Sequence, residues 1–291
     1  MRLIFTNDFK MIAKEKIKEL QGIARKLRQH IVQMTCAAAS GHPGGSLSAA
    51  DIITVLYFYK MRHNPKDPAW PDRDRLVMSK GHAAPVLYAA LAEAGYFPVK
   101  YLNTLRKIGS SLQGHVDMLM LPGVEMSTGS LGQGLSAANG MALAGRLDKK
   151  KYRVYAVLGD GECHEGQVWE AAMTASHYKL DNVCAIIDFN KLQIDGFCCD
   201  IKDMGPYTHK WKDFGWNPIE VDGHDIAKLM GALDEAEKIK GRPTVIIAHT
   251  IKGKGVSFVE NKVEWHGIAP KKEEYDRAMA ELDEALTELN R

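Results

Sequence analysis

The sequence predicts an α/β fold in which a mainly parallel sheet is flanked by helices on both faces. Three observations carry this. Apolar segments of strand length recur at 152–158, 183–187, 217–221 and 244–248. The segments at 152–158, 183–187 and 244–248 are nearly continuous in apolar residues rather than alternating, as strands buried on both faces are. Between the segments lie stretches with helical spacing, the pattern of repeated strand–helix–strand crossovers.

Ahead of the first of these strands the chain reads as helical. Ile12, Ile17, Leu20, Ile23, Leu27, Ile31 and Met34 recur with Lys, Glu and Arg between them, which predicts an N-terminal helical segment within 1–40. Gly41, Gly44 and Gly45 around Pro43 interrupt it. Ser46 or Ser48 then caps a second helix through Asp51, Ile52, Val55, Leu56 and Phe58. A Pro-rich turn occupies 64–71, and another helix runs from near Gly81 to about Gly95. The strand at 152–158 stops at Gly159-Asp160-Gly161, and a helix follows with Trp169, Ala172 and Met173 on one face. The strand at 183–187 ends at Asp188-Phe189-Asn190. The last two strands are separated by a helix over 225–239. The tail, 271–291, is an amphipathic helix carrying Tyr275, Met279, Leu282, Leu286 and Leu289. No repeat, low-complexity segment or linker divides the chain, so 1–291 reads as a single domain.

Composition narrows the function. The 291 residues are 45% apolar and 25% charged, with 38 basic and 36 acidic residues and a formal net charge of +2. Near-cancellation of charge argues against nucleic-acid and membrane-surface roles, which use a lopsided basic face. Five cysteines without C-x-x-C spacing fit neither a disulfide framework nor a zinc site. Cys163 has nothing beside it that marks a nucleophile. The N-terminus has only Leu3-Ile4-Phe5 as an apolar patch and no signal-peptide core, so a soluble, cytoplasmic protein is expected.

Two strands end in residues that suit a cation. Asp160 and Asn190 are 30 positions apart, the interval a crossover needs to return to the same sheet edge. Ligands of parallel sheets bind beyond those carboxyl ends. A carboxylate and an amide oxygen side by side are hard ligands for Mg²⁺ or Ca²⁺, which readily add phosphate oxygens. Gly159 and Gly161 permit close backbone approach, and the helix after them offers N–H groups and a positive dipole end. These features imply a diphosphate held through a divalent metal. Alone, Gly-Asp-Gly is equally a simple strand-to-helix turn.

With the asparagine at this spacing, the pair resembles the thiamine-diphosphate fingerprint. The usual Asn-Asn doublet is here Phe189-Asn190, so the metal-binding asparagine is retained. SGHPGG at 40–45, SKGHA at 79–83, GH at 114–115, STGSLGQGLS at 127–136, GDGECHEG at 159–166, KGKG at 252–255 and WHG at 265–267 then follow in transketolase order. The resemblance spans about 20–270 and is to the N-terminal subunit of a split transketolase. The related deoxyxylulose-phosphate synthases lack the SGHPG and SKGH forms. It implies the diphosphate-binding type of the thiamine-diphosphate fold, with Asp160, Asn190 and the Leu192 carbonyl on Mg²⁺ or Ca²⁺. His82 and Gly161 are expected at the diphosphate, and Gly129, Leu131 and Ile194 beside the cofactor rings. His42, His82, His115 and His266 are expected along the substrate channel, and Glu165 in an acidic relay between two cofactors.

Ketol transfer makes and breaks alkoxides at sugar carbons, and imidazole donates to or accepts from hydroxyls near neutral pH. His30, His63, His164, His177, His209, His224 and His249 read as surface or satisfied core residues. The other four each sit beside glycine in a matched loop. Lys252 reads as a phosphate-reaching or a solvated loop lysine. The GSLGQG run at 129–134 lacks dinucleotide-loop spacing and a preceding strand, and a helix is expected to open at Leu131.

The resemblance also implies incompleteness. In that family the glutamate that activates the cofactor, and the residues that hold the sugar-phosphate tail, lie in a following pyrimidine-binding domain. A C-terminal transketolase subunit is therefore the expected partner, in an α2β2 assembly acting on sugar phosphates. Competing expectations are a split carboligase for an unusual sugar and a non-catalytic scaffold that keeps the fold.

Overall fold

The computed structural model describes the backbone of residues 2–290 and the side chains of 14–285, 287 and 289. Ile12 and Leu286, assigned above to apolar helix faces, lie outside those side chains. In chain order the elements are α1 (Arg2–Ala38), α2 (Pro43–Ser48), α3 (Ala50–Val55), β1 (Arg75–Met78), α4 (Ala84–Glu93), α5 (Gly134–Leu147), β2 (Val154–Gly159) and α6 (Gly166–His177). There follow β3 (Val183–Phe189), α7 (Cys198–Lys202), α8 (Tyr207–Asp213), β4 (Asn217–Asp222), α9 (Ile226–Lys238), β5 (Thr244–His249) and α10 (Lys272–Asn290).

The strands form one sheet in the order β1-β2-β3-β5-β4, and every pairing is parallel. Alternate strand residues feed opposite cores, because successive side chains of a strand point to opposite faces. Tyr155, Val157, Ile186 and Ile246 join Leu27 and Ile31 of α1, Ile53 of α3, Leu87 of α4, Leu229 of α9 and Leu282 of α10. Val154, Ala156, Leu158, Ile187 and Val245 join Leu135 of α5, Val168 of α6 and Trp211 of α8. Helices therefore cover both faces, as expected. Among the described residues no helix is long and apolar enough to cross a membrane.

Four local expectations are corrected. The edge strand β1 has no counterpart in the sequence reading, since Leu76-Val77-Met78 is too short a run to stand out beside a turn. The second helix starts with Pro43 in its first turn rather than after a serine cap, breaks at Ala49, and ends in a π-turn over Leu56–Lys60. Ser46 Oγ instead donates to His42 O, and Ser48 Oγ to Asp188. The helix expected to open at Leu131 begins at Gly134. On α6 the buried face is Val168, Ala171, Ala172 and Ala175, whereas Met173 is 54% exposed.

Candidate functional site

Register brings the two polar strand ends together. β2 and β3 pair up to Gly159↔Asp188, so Asp160 and Asn190 both leave the carboxyl edge of neighbouring strands. A 3-10 turn, Gly161–His164, intervenes before α6, so the α-helix does not follow the glycines directly. Asp160 caps that turn, accepting from Gly161 N at 2.8 Å, while its other oxygen accepts from Lys191 N. It is 1% exposed and belongs to no ion pair among the described residues. Burial, then the nearby Asp188 charge, push it up to about 6.

Asn190 Oδ1 accepts from Leu192 N at 3.1 Å, and its Nδ2 donates to Asp188 Oδ2 at 3.2 Å. Leu192 O accepts from Lys252 Nζ at 3.3 Å. Carboxylate, amide and main-chain oxygens thus border one cavity around a buried acid that no cation among the described residues contacts directly. That donor set fits a hard divalent cation, which would supply the missing positive charge.

The cavity, of about 380 Å³, gathers every residue singled out from the sequence: His42, His82, His115, Gly129, Leu131, Asp160, Gly161, Glu165, Asn190, Leu192, Ile194 and His266. Four loops contribute the imidazoles. His42 lies 5.4, 5.7 and 5.6 Å from the ring centres of His82, His115 and His266, and His82 lies 5.2 Å from His266. Burial lowers all four, and neighbouring cations add to it. His42 falls to about 4, with Arg106 the next cause, and His266 to about 3, with Lys252 the next cause. His82 and His115 are lowered for the same reasons. The cluster is neutral at physiological pH, able to donate and accept. Gly129 has a φ of +147°, and a Cβ there would stand 2.8 Å from His115 Cδ2, so the loop passes this ring only without a side chain.

Further residues in or beside the cavity received no settled site role from the sequence. Lys80 and Asp188 form an ion pair with almost no exposure, and Asp188 also accepts from Ser48 Oγ at 2.5 Å and from Thr250 Oγ1. Burial alone raises Asp188, but the Lys80 charge and these hydrogen bonds outweigh it and hold the carboxyl below its usual range. The available signal was an acid ending the apolar run Val-Cys-Ala-Ile-Ile-Asp. Glu162 is buried too, and accepts from Gly159 N and Gly132 N, each at 3.0 Å, and from Ser79 Oγ. His164 lines the cavity rather than serving as background. Lys252 is 2% exposed and donates to His266 Nδ1 at 2.8 Å, so it is no solvated lysine; burial lowers it to about 8. By contrast His30 pairs with Glu93, and His224 with Asp51, as satisfied histidines.

A parallel sheet with such a cavity at its carboxyl edge is the arrangement of a ligand-binding α/β protein. The model of the transketolase thiamine-diphosphate-binding domain matches residues 19–284. The chain belongs to that family. It is 45% identical over 265 residues to the 6-deoxy-6-sulfo-D-fructose transketolase subunit SqwG of Clostridium sp. (strain MSTE9), covering 91% of this chain and 96% of that subunit. It is 48% identical over 266 residues to transketolase-like protein 2 of Bos taurus, covering 89% of this chain but 42% of that protein. The crystal structure of transketolase from Campylobacter jejuni superposes with a TM-score of 0.86 at 34% identity, covering 91% of this chain and 42% of that one. The chain therefore spans less than half of the bovine and Campylobacter proteins and nearly all of the clostridial subunit.

Proposed function

We propose that this chain is the cofactor-holding subunit of a ketol transferase, active with a C-terminal transketolase subunit in an α2β2 assembly in the cytoplasm. The observation that carries this is the meeting, in one cavity, of Asp160, Asn190 and Leu192 with four neutral histidines. Thiamine diphosphate, when bound, supplies the carbon nucleophile that carries a two-carbon unit from a ketose phosphate to an aldose phosphate. Asp160, Asn190 and the Leu192 carbonyl hold Mg²⁺ or Ca²⁺, with His82 and Gly161 on the diphosphate. Gly129, Leu131 and Ile194 border the rings. His42, His115 and His266 between them bind sugar oxygens and move the hydroxyl proton, and Glu165 serves the relay between cofactors. The exposed apolar side chains Met118, Leu119, Met120 and Ile194 support a covering partner.

The 45% identity to the clostridial subunit, whose name carries a sulfonated sugar, supports a second reading at the level of substrate, a sulfonated rather than phosphorylated ketose. A donor screen with the reconstituted pair separates the two. The cofactor assignment is tested by calorimetric titration with thiamine diphosphate and Mg²⁺. Metal-dependent binding lost in Asp160→Ala is the expected result; unchanged binding would remove Asp160 from the site.

A further inference from the structure

Arg106 stands beside the cavity on a tight turn, with a φ of +58° and its N–H donating to Leu112 O at 2.8 Å. Its guanidinium lies across Gly114, where a Cβ would approach Arg106 Cζ to 2.8 Å, so a side chain at 114 would displace it. From this seat Nη1 donates to Ser40 Oγ at 2.9 Å. Nη2 donates to His42 Nδ1 and to Gly114 O, each at 3.3 Å. Ser40 and Gly114 thus hold the guanidinium on either side of its contact with the ring nitrogen.

The chemistry of the donor decides the state of that ring. A guanidinium carries five N–H donors, no acceptor, and a permanent charge. The His42 atom facing it must therefore present a lone pair. In a neutral imidazole the proton then resides on the other nitrogen. Burial, Arg106, His115 and Lys252 all favour the neutral ring. The His82, His115 and His266 rings each lie within 5.7 Å of it. Asp117 lines a groove with His42 and Arg106, but its Oδ1 accepts from Leu119 N and Ser127 Oγ, and no carboxylate among the described residues bonds Nδ1 to draw the proton there. Among the described residues no group bonds Nε2, which leaves it for a ligand of the cavity that His42 lines.

We propose that Arg106 is a positioning residue that fixes His42 as its Nε2–H tautomer, so that His42 presents a hydrogen-bond donor, and no base, to a sugar carbonyl or alkoxide oxygen. The identity of that ligand rests on the ketol-transfer reading; the tautomer does not. A division of labour follows, in which His42 holds the oxygen and a different histidine takes the hydroxyl proton.

Long-range ¹H–¹⁵N spectra of the full chain labelled with ¹⁵N-histidine test this, with His42 assigned from the signal missing in His42→Gln. Around neutral pH, Nδ1 should resonate as an unprotonated nitrogen and Nε2 as a protonated one. In Arg106→Met the two shifts should move toward each other as tautomers exchange, and Arg106→Lys, which keeps a charged donor, should return them toward the original pattern. With the partner present, Arg106→Met should lower kcat/KM by about tenfold to a hundredfold, the scale of loss when an outer partner that orients a metal-bound histidine is removed, while thiamine-diphosphate affinity holds. A protonated Nδ1 in the unmodified chain, or an unaltered pattern in Arg106→Met, would overturn the assignment. The unmodified chain decides even if Arg106→Met does not fold. Failure of cofactor binding would sink the functional reading and leave the tautomer result standing.

Discussion

Asp188 places a charge near the end of a buried strand, and among the described residues that offset its burial Lys80 alone carries the opposite charge. Removing one partner of a buried pair leaves the other uncompensated, so Lys80→Met should cost about 3–5 kcal/mol in urea unfolding. Lys80→Met with Asp188→Leu should cost less than the two single changes summed, and strict additivity would show that the pair is not coupled. The cavity histidines give a pH dependence. His42 at about 4 and His266 at about 3 lie below the ordinary 6.5. On acidification the unfolded chain takes up these protons first, so stability falls as pH drops from about 6.5 toward 4. Asp160, raised from 3.8 to about 6, acts in the opposite direction, its contribution growing as pH falls between those values. Two rings against one carboxylate leave a net loss. Urea midpoints measured downward from neutral pH should fall less steeply in a His42→Phe, His266→Phe variant than in the parent, and parallel slopes would refute the origin. Asp160 and the four loop histidines were legible because each ends a strand or sits beside glycine in a short motif. Lys80, Glu162 and Arg106 were not, since their partners lie 108, 30 and 64 positions away.

At the scale of elements, Glu162 ties the end of β2 to Ser79, beyond β1, and to Gly132 in the loop before α5. Glu162→Ala should leave the sheet intact and free that loop. Expected are faster hydrogen exchange at the Gly132 amide and about a tenfold weaker hold on thiamine diphosphate, the order of one lost charge-assisted contact; unchanged exchange would remove Glu162 from this role. The helix α9 offers a plainer case. Asp225, read from the sequence as the first residue of this helix, instead caps it by accepting from Lys228 N at 3.0 Å. Asp225→Ala should lower stability by about 1 kcal/mol in chemical denaturation. The long-period elements were the readable ones. Short pieces were not: β1 has four residues, and α2, α3 and the π-turn are set by packing against α1, α4 and α9 and by Pro43 rather than by serine caps.

For the whole molecule, the cavity is bordered by exposed groups on one side, Glu165 and Ile194 among them. Co-expression with a C-terminal transketolase subunit should raise ketol-transfer activity from near background, and high activity of the chain alone would contradict the proposed assembly. The sequence by itself determined the α/β class, because strands buried on both faces must be continuously apolar and the crossovers between them must carry helical spacing. It also marked many of the residues that border the cavity, because strand ends and the glycine-flanked loops that resemble the transketolase motifs are written locally. The tertiary structure alone decided the strand order, the burial of Lys80, Lys252 and Asp188, and which donor faces each imidazole. Those depend on side chains brought together from distant positions, where burial removes water and a single hydrogen-bond partner then sets charge and tautomer.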